Sequence, residues 1–338
     1  GDDGAAAWLS ENTAGSGPYR VERWDRGQQL VMVANPHHPN RPRHFDRIVF
    51  RYIRDTNARR LEMEKRQIDI CEGIGIDDVA RFQKMPGVTV FNEPGPSMVF
   101  VDINNRHPVL SDVRVRRALA LAIDYQGVLK SVMQGYASPL AGPIPLGMAG
   151  YDSALKQPAR DVAKAKALLA EAGHPQLNLT LTYIQGGGML NSTVLMMQAN
   201  LKEIGVNLAL EPMAPSAGME KIMGGTYELA MNNFVPAIAD PWIVMFPLFY
   251  SKNAGAGGNT ALYSNPKVDA LLMQAQAQQD AAKRLDLYRE AQSTIVADVP
   301  RIFLFSANGL LAYRSEFAPL QYSAWRPLVY DAAQMDRH

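Results

Sequence analysis

LNLTLTYIQGGGMLNSTVLMMQANLKEIGVNLALE, residues 177–211, decides the fold class. Apolar and polar residues alternate from Leu177 to Tyr183, the period of a half-buried strand. A helical pattern then spans about Leu190 to Ile204 and stops at Gly205, and alternation resumes from Val206 in VNLALE. Strand, helix, strand over this length is a βαβ crossover, the unit of a parallel sheet.

The pattern extends in both directions. Upstream, FDRIVFRYI (Phe45–Ile53) alternates as a strand, a helix runs from Thr56 to Arg66, and a short strand follows in IDICE. From Ser111, Val115, Ala118, Leu119 and Ala122 fall at i, i+3, i+4 and i+7, with Ser111 or Asp112 placed as the helix cap. Pro139–Pro145 is a loop that no helix crosses. Asp161 caps VAKAKALLAEAG, which Gly173 ends in a left-handed turn. Downstream come a helix near Ser216–Met223, the strand YELAMNNF, a helix opened by Asn265 and Pro266, and a second helix, AAKRLDLYREAQSTIV. RIFLF, after Pro300, reads as a strand that leaves this domain. There is no internal repeat, which argues against a solenoid.

The chain has 338 residues, 47% apolar and 20% charged, with a net charge of +1. That length suits two domains. The near-zero charge supplies no field to gather nucleic acid or an anionic membrane, so no nucleic-acid partner is expected. No apolar run reaches the roughly 18 residues needed to cross a bilayer. The opening GDDGAAAW is not Met followed by a basic and apolar leader, and is expected to mark a processed or truncated chain. Cys71 is the only cysteine, which excludes an internal disulfide and a thiolate cluster.

Signals of catalysis are sparse. His37, His38 and His44 lie within one Pro-rich loop, but their spacing suits solvated histidines better than a metal site, and no metal is expected. Gly186, Gly187 and Gly188 lie between strand and helix without the GK[ST] of a phosphate loop, and read as a flexible turn. No GxSxG elbow occurs, and Cys71 in a strand-like segment reads as a buried thiol. No enzyme activity and no cofactor are expected.

Five segments in order carry a resemblance. GSGPYRVERW (Gly15–Trp24), LEMEKRQIDI, INNRHPVLSDVRVRRALALAID (Ile103–Asp124), AKALLAEAGH, and the late pair ADPW with YSNPKVDALLMQAQ resemble extracellular solute-binding protein family 5, the binding proteins of peptide and nickel ABC importers. The resemblance implies an α/β fold of the type II periplasmic-binding kind, with two lobes joined by a hinge that closes on a solute. It also implies a C-terminal fragment: residues 1–99 with 306–338 as the remainder of lobe one, and residues 100–305 as a complete lobe three. The crossings between them are expected near Met98–Asp102 and Pro300–Phe305.

The implied function is a periplasmic or membrane-anchored extracytoplasmic subunit, monomeric when full-length. It would bind a peptide or related amphiphilic solute in the cleft between lobes and deliver it to the permease subunits. A receptor-like or chaperone role on the same fold is the alternative. In peptide-binding relatives an aspartate three residues before the late acidic-Pro pair holds the ligand's α-amino group, and a Trp three earlier covers the peptide. Here that pair is Asp240–Pro241, so the amine-anchor position is Ala237 and the aromatic position is Phe234. Phe100, Asn233, Phe234, Ala237 and Trp242 are the candidate lining residues, with Phe100 and Trp242 also reading as core. Asp240 reads as a helix cap.

Overall fold

Residues 4–10, 12–40, 42, 44–185 and 188–317 are described by a computed structural model. The chain divides into two units, one formed by residues up to Phe91 and from Leu310 onward, the other by Asn92–Gly309.

In the first unit, β1 (Tyr19–Asp25), β2 (Gln29–Ala34) and β3 (Arg47–Arg51) form an antiparallel sheet in that order. Gly27, at φ 74°, makes the β1–β2 turn, a conformation that favours glycine. Asp55 caps α1 (Thr56–Glu64), its Oδ1 accepting from Ala58 N at 2.7 Å. Next come β4 (Ile70–Glu72) and α2 (Ile76–Lys84), whose Asp77 and Asp78 in the first turn and Arg81 and Lys84 in the last oppose the helix dipole. The buried residues include Met63, Cys71, Val79, Phe82 and Leu311.

Burial pushes the Cys71 thiol up to about 11, with Arg59 acting in the opposite sense. A thiol raised this far carries about a hundredfold less thiolate at neutral pH than an ordinary one. Ellman's reagent at pH 7.5 is therefore expected to modify Cys71 at least about a hundredfold more slowly in the folded chain than in urea. Equal rates would show that the thiol is accessible.

The second unit contains the later part of β5 (Val88–Ile103), then α3 (Val113–Ala122), β6 (Ala137–Pro139), α4 (Val162–Glu171), β7 (Leu177–Ile184), α5 (Gly188–Glu203), β8 (Val206–Met213), α6 (Pro215–Met223), β9 (Leu229–Phe234), α7 (Trp242–Phe249), α8 (Pro266–Ala277), α9 (Ala281–Asp298) and the first part of β10 (Arg301–Arg314). Its sheet runs β10-β5-β9-β7-β8, with β6 also paired to β10. β7 pairs parallel with both β8 and β9, as the crossover reading requires, and β5 pairs antiparallel with β9. Asp112, Asp161, Asn265 and Asp280 each cap the helix that follows. Arg116 donates to the carbonyls of Leu110, Ser111, Asp298 and Val299, so one buried guanidinium closes the end of α9. Gly186 and Gly187 of the glycine triplet lie outside the described residues; Gly188 begins α5.

The unit boundaries differ from the expected crossings. The chain passes between units at Phe91–Asn92 and Gly309–Leu310, inside β5 and β10. Met98–Asp102 and Pro300–Phe305 are instead core of the second unit, with Met98–Asp102 no more than 1% exposed. A central strand is covered on both faces, so its apolar run marks the middle of a sheet and not a connection. Residues 318–338, placed by the sequence in lobe one, lie outside the described residues.

Candidate functional site

From Leu229 to Trp242 the only carboxylate is Asp240. β9 enters this stretch with Leu229, Ala230 and Met231 buried, and pairs Asn232 with Phe100, Asn233 with Val99 and Phe234 with Met98. Strand alternation puts Asn232 and Phe234 on the face that carries Phe100, and Asn233 on the opposite face. Phe100 is 1% exposed and lies under the Arg301 guanidinium, 4.6 Å from its centre, so it is core of this unit. Phe234 is half-buried at the strand end; Asn233 and Ala237 are exposed.

Asp240 accepts from a backbone N–H at the start of α7, although the helix begins at Trp242 with Pro241, and not Asp240, in the capping position. The Asp240 Oδ1 accepts from Trp242 N at 2.8 Å, and its Oδ2 lies 2.8 Å from Arg284 Nη2 on α9. Trp242, 36% exposed, stacks on Phe246 with centroids 5.8 Å apart, and Phe246 stacks on Tyr250 at 4.7 Å. The spacing i, i+4, i+8 keeps the three rings on one side. Val235 and Ile238 are also exposed. The segment therefore offers apolar and aromatic surface, with its carboxylate committed to a helix start and an arginine. Asp240→Ala is expected to lower stability by about 1 kcal/mol, shifting the melting temperature by roughly 2–4 °C. An unchanged transition by circular dichroism would mean that the start of α7 is held by packing alone.

Beneath β9 lies a polar cluster that sequence reading did not single out. Arg301 Nε is 2.5 Å from Asp102 Oδ1, both side chains fully buried, as an ion pair off the line of a hydrogen bond. Thr260 Oγ1 accepts from Arg301 Nη2 at 3.1 Å and donates to Asp102 Oδ2 at 2.7 Å; Asn232 Nδ2 donates to the same oxygen at 3.1 Å. The guanidinium sits between the rings of Phe100 and Phe249. Tyr227 donates its hydroxyl to Thr260 O, and burial pushes that phenol up, Asp102 adding to the effect and Arg301 opposing it. The available signal was a single Asp in VFVDI and a single Arg opening RIFLF: a lone charge inside a buried strand demands a partner.

Among the described residues no group of three His, Cys, Asp or Glu is placed to hold a metal, and no helix is long and apolar enough to cross a membrane. The His38 ring lies against Asn40, its Nδ1 2.7 Å from the carbonyl oxygen.

Residues 1–256 match the family model for bacterial extracellular solute-binding proteins, family 5 Middle. The chain belongs to solute-binding family 5. A family 5 relative from Escherichia coli (strain K12), the probable D,D-dipeptide-binding periplasmic protein DdpA, is 32% identical over 335 residues, covering 99% of this chain and 65% of the relative. Among solved structures, the periplasmic binding protein DppA from Helicobacter pylori in complex with peptide STSA superimposes with a TM-score of 0.84 at 24% identity, over 92% of this chain and 62% of that one. NikA from Brucella suis in complex with Fe(III)-EDTA gives a TM-score of 0.84 at 21% identity, over 96% of this chain and 68% of that one. The fold is that of type II periplasmic-binding proteins. The Escherichia coli and Helicobacter pylori proteins are named as binding proteins and not as enzymes. The chain spans about two thirds of the length of such relatives.

Proposed function

We propose that the protein is the solute-binding subunit of an ABC importer, acting in the periplasm or otherwise outside the cytoplasmic membrane. Its solute would be a peptide, an N-blocked or modified peptide, or a related amphiphile that presents no free α-ammonium to the Ala237 position. It hands that solute to the permease subunits and performs no chemistry on it.

The observation that carries this reading is the uncharged β9–α7 segment. At Ala237, where the resemblance implies a carboxylate, there is a methyl group, and nearby Asp240 is committed to Trp242 N and Arg284. An ammonium desolvated beside such a surface lacks a counter-charge, a cost of several kcal/mol as an order of magnitude. Apolar and aromatic groups of a solute lose nothing there, and the rings of Phe234 and Trp242 suit them. The Escherichia coli relative named for D,D-dipeptides and the Helicobacter pylori protein bound to a peptide support the peptide class.

Titration calorimetry of the intact protein with D-Ala-D-Ala, Ala-Phe and their N-acetyl derivatives tests the reading. The acetylated compounds are expected to bind at least as tightly as the free amines. Free amines preferred by about tenfold or more would overturn the missing-anchor reading, since a charge-assisted bond contributes about that much. A metal chelate binding where every peptide fails would overturn the peptide class.

A further inference from the structure

We infer that the second unit carries a separate binding site for a free amphiphilic monoanion with an unbranched alkyl chain, in the cleft beside the open edge of β10. β6 pairs with Phe305–Ala307 and ends at Pro139, which has no N–H with which to continue a ladder. Before that point no strand among the described residues covers this edge. Gln157 stands in for one, its Nε2 donating to the carbonyls of Phe303 at 3.2 Å, Leu304 at 2.5 Å and Leu140 at 3.1 Å.

The cleft left here has a volume of about 460 Å³, inside the range of small-molecule sites, roughly 300–1,000 Å³. Leu121, Leu168, Val296, Ile302 and Phe303 supply apolar wall. Tyr125 adds no free hydroxyl, since it donates to Ala120 O at 3.1 Å.

Charge decides the head group. Arg117, Lys156 and Lys164 all line the cleft, and no carboxylate does among the described residues. The chain as a whole carries only +1, so this excess is local. One feature should oppose an anion: the cleft borders the C-terminal end of α9, where carbonyl oxygens point outward. The carbonyl oxygens of Ala297, Asp298 and Val299 are already taken. Arg117 Nη2 donates to Ala297 O at 2.9 Å, and Arg116 donates to the carbonyls of Asp298 and Val299. Lys156 Nζ donates only to Ser153 O, and the Lys164 ammonium has no partner among the described residues. Two exposed ammonium groups thus stand over an apolar trough with no counter-charge in its lining.

Calorimetry on the intact chain at low ionic strength with hexanoate, octanoate and decanoate tests this. Saturable one-to-one binding is expected, tightening by about fourfold for each added methylene as the chain enters the trough. The double variant Lys156→Glu, Lys164→Glu changes two exposed side chains, so its melting transition should be retained. It should weaken decanoate by at least about tenfold while leaving 1-decanol unchanged. Leu168→Trp, which narrows the trough, should weaken both. Four results would overturn the proposal: no saturable binding at millimolar concentration; affinity independent of chain length; decanoate bound equally by the charge-reversed variant; or binding to phosphatidylglycerol vesicles but not to free decanoate, which would make this a membrane-facing surface. Displacement of decanoate by a peptide that binds at the β9–α7 segment would also overturn it, by merging the two sites.

Discussion

Replacing Asp102 by Ala will destabilise the second unit by about 3–5 kcal/mol, and Arg301→Met will do about the same, because each leaves its partner charged and buried. Asp102 and Arg301 are in contact in a site closed to water, and the guanidinium is flanked by Phe100 and Phe249. Removing both charges together avoids the uncompensated ion. The double variant should therefore lose far less than the sum of the singles, with about 1–3 kcal/mol remaining because Thr260 and Asn232 forfeit the oxygen they bond. Urea unfolding followed by tryptophan fluorescence would measure the coupling. Strictly additive effects would show that the two charges do not depend on one another, and single variants within about 1 kcal/mol of the parent would show that water reaches the pair.

Ala237→Asp is the second large expected effect, and it addresses selectivity. The substitution is expected to raise affinity for free-amine peptides by about tenfold to a hundredfold relative to their N-acetyl forms, the range of one charge-assisted bond. Ala237 is exposed in the bend between β9 and α7, so the new carboxylate enters solvent-accessible space without displacing buried side chains. Calorimetry with paired free and acetylated peptides reads the ratio directly. An unchanged ratio in a folded variant would mean that residue 237 does not meet the end of the ligand. A parent that already prefers free amines would place an anchor elsewhere.

The elements that sequence reading placed well are those with a strong local signal. The βαβ crossover, with its period-two strands and Gly205 stop, lies where expected, as do the helices announced by Asp112, Asp161 and Asn265. β5 was not legible as a single long strand, and Pro94 and Pro96 inside it are residues that ordinarily interrupt a strand. The strand continues because Gly95 lies against β10 so closely that a Cβ there would stand 2.7 Å from Ala307 O. No local pattern reports a contact made across more than 200 residues. The same limit hid the Asp102–Arg301 cluster, which draws on β5, β9, β10 and the turn at Thr260. At the candidate site, composition showed the lack of charge between Leu229 and Ala239, and the Asp-Pro pair showed the helix start. Phe100 is core, the reading favoured for it, but a buried aromatic in a central strand and a ligand-covering aromatic look alike until burial is known.

The long strand β10 also bears on the order in which this polypeptide can acquire structure. Its residues Leu311–Tyr313 complete the first unit by pairing with Ile70–Glu72, and its earlier residues lie beside β5 and β6 in the second. A ribosome or export channel releases the chain from its N-terminus, so β4 and β5 emerge long before the strand that they need. Until residue 314 is free, the sheet that contains β4 and β5 lacks β10, and closing it means joining segments separated by about two-thirds of the chain. The second unit needs residues only as far as Gly309, whereas the first also needs Leu310 onward. The edges of β4 and β5 that β10 covers thus stay open until late in release, exposed to chaperones or to neighbouring chains.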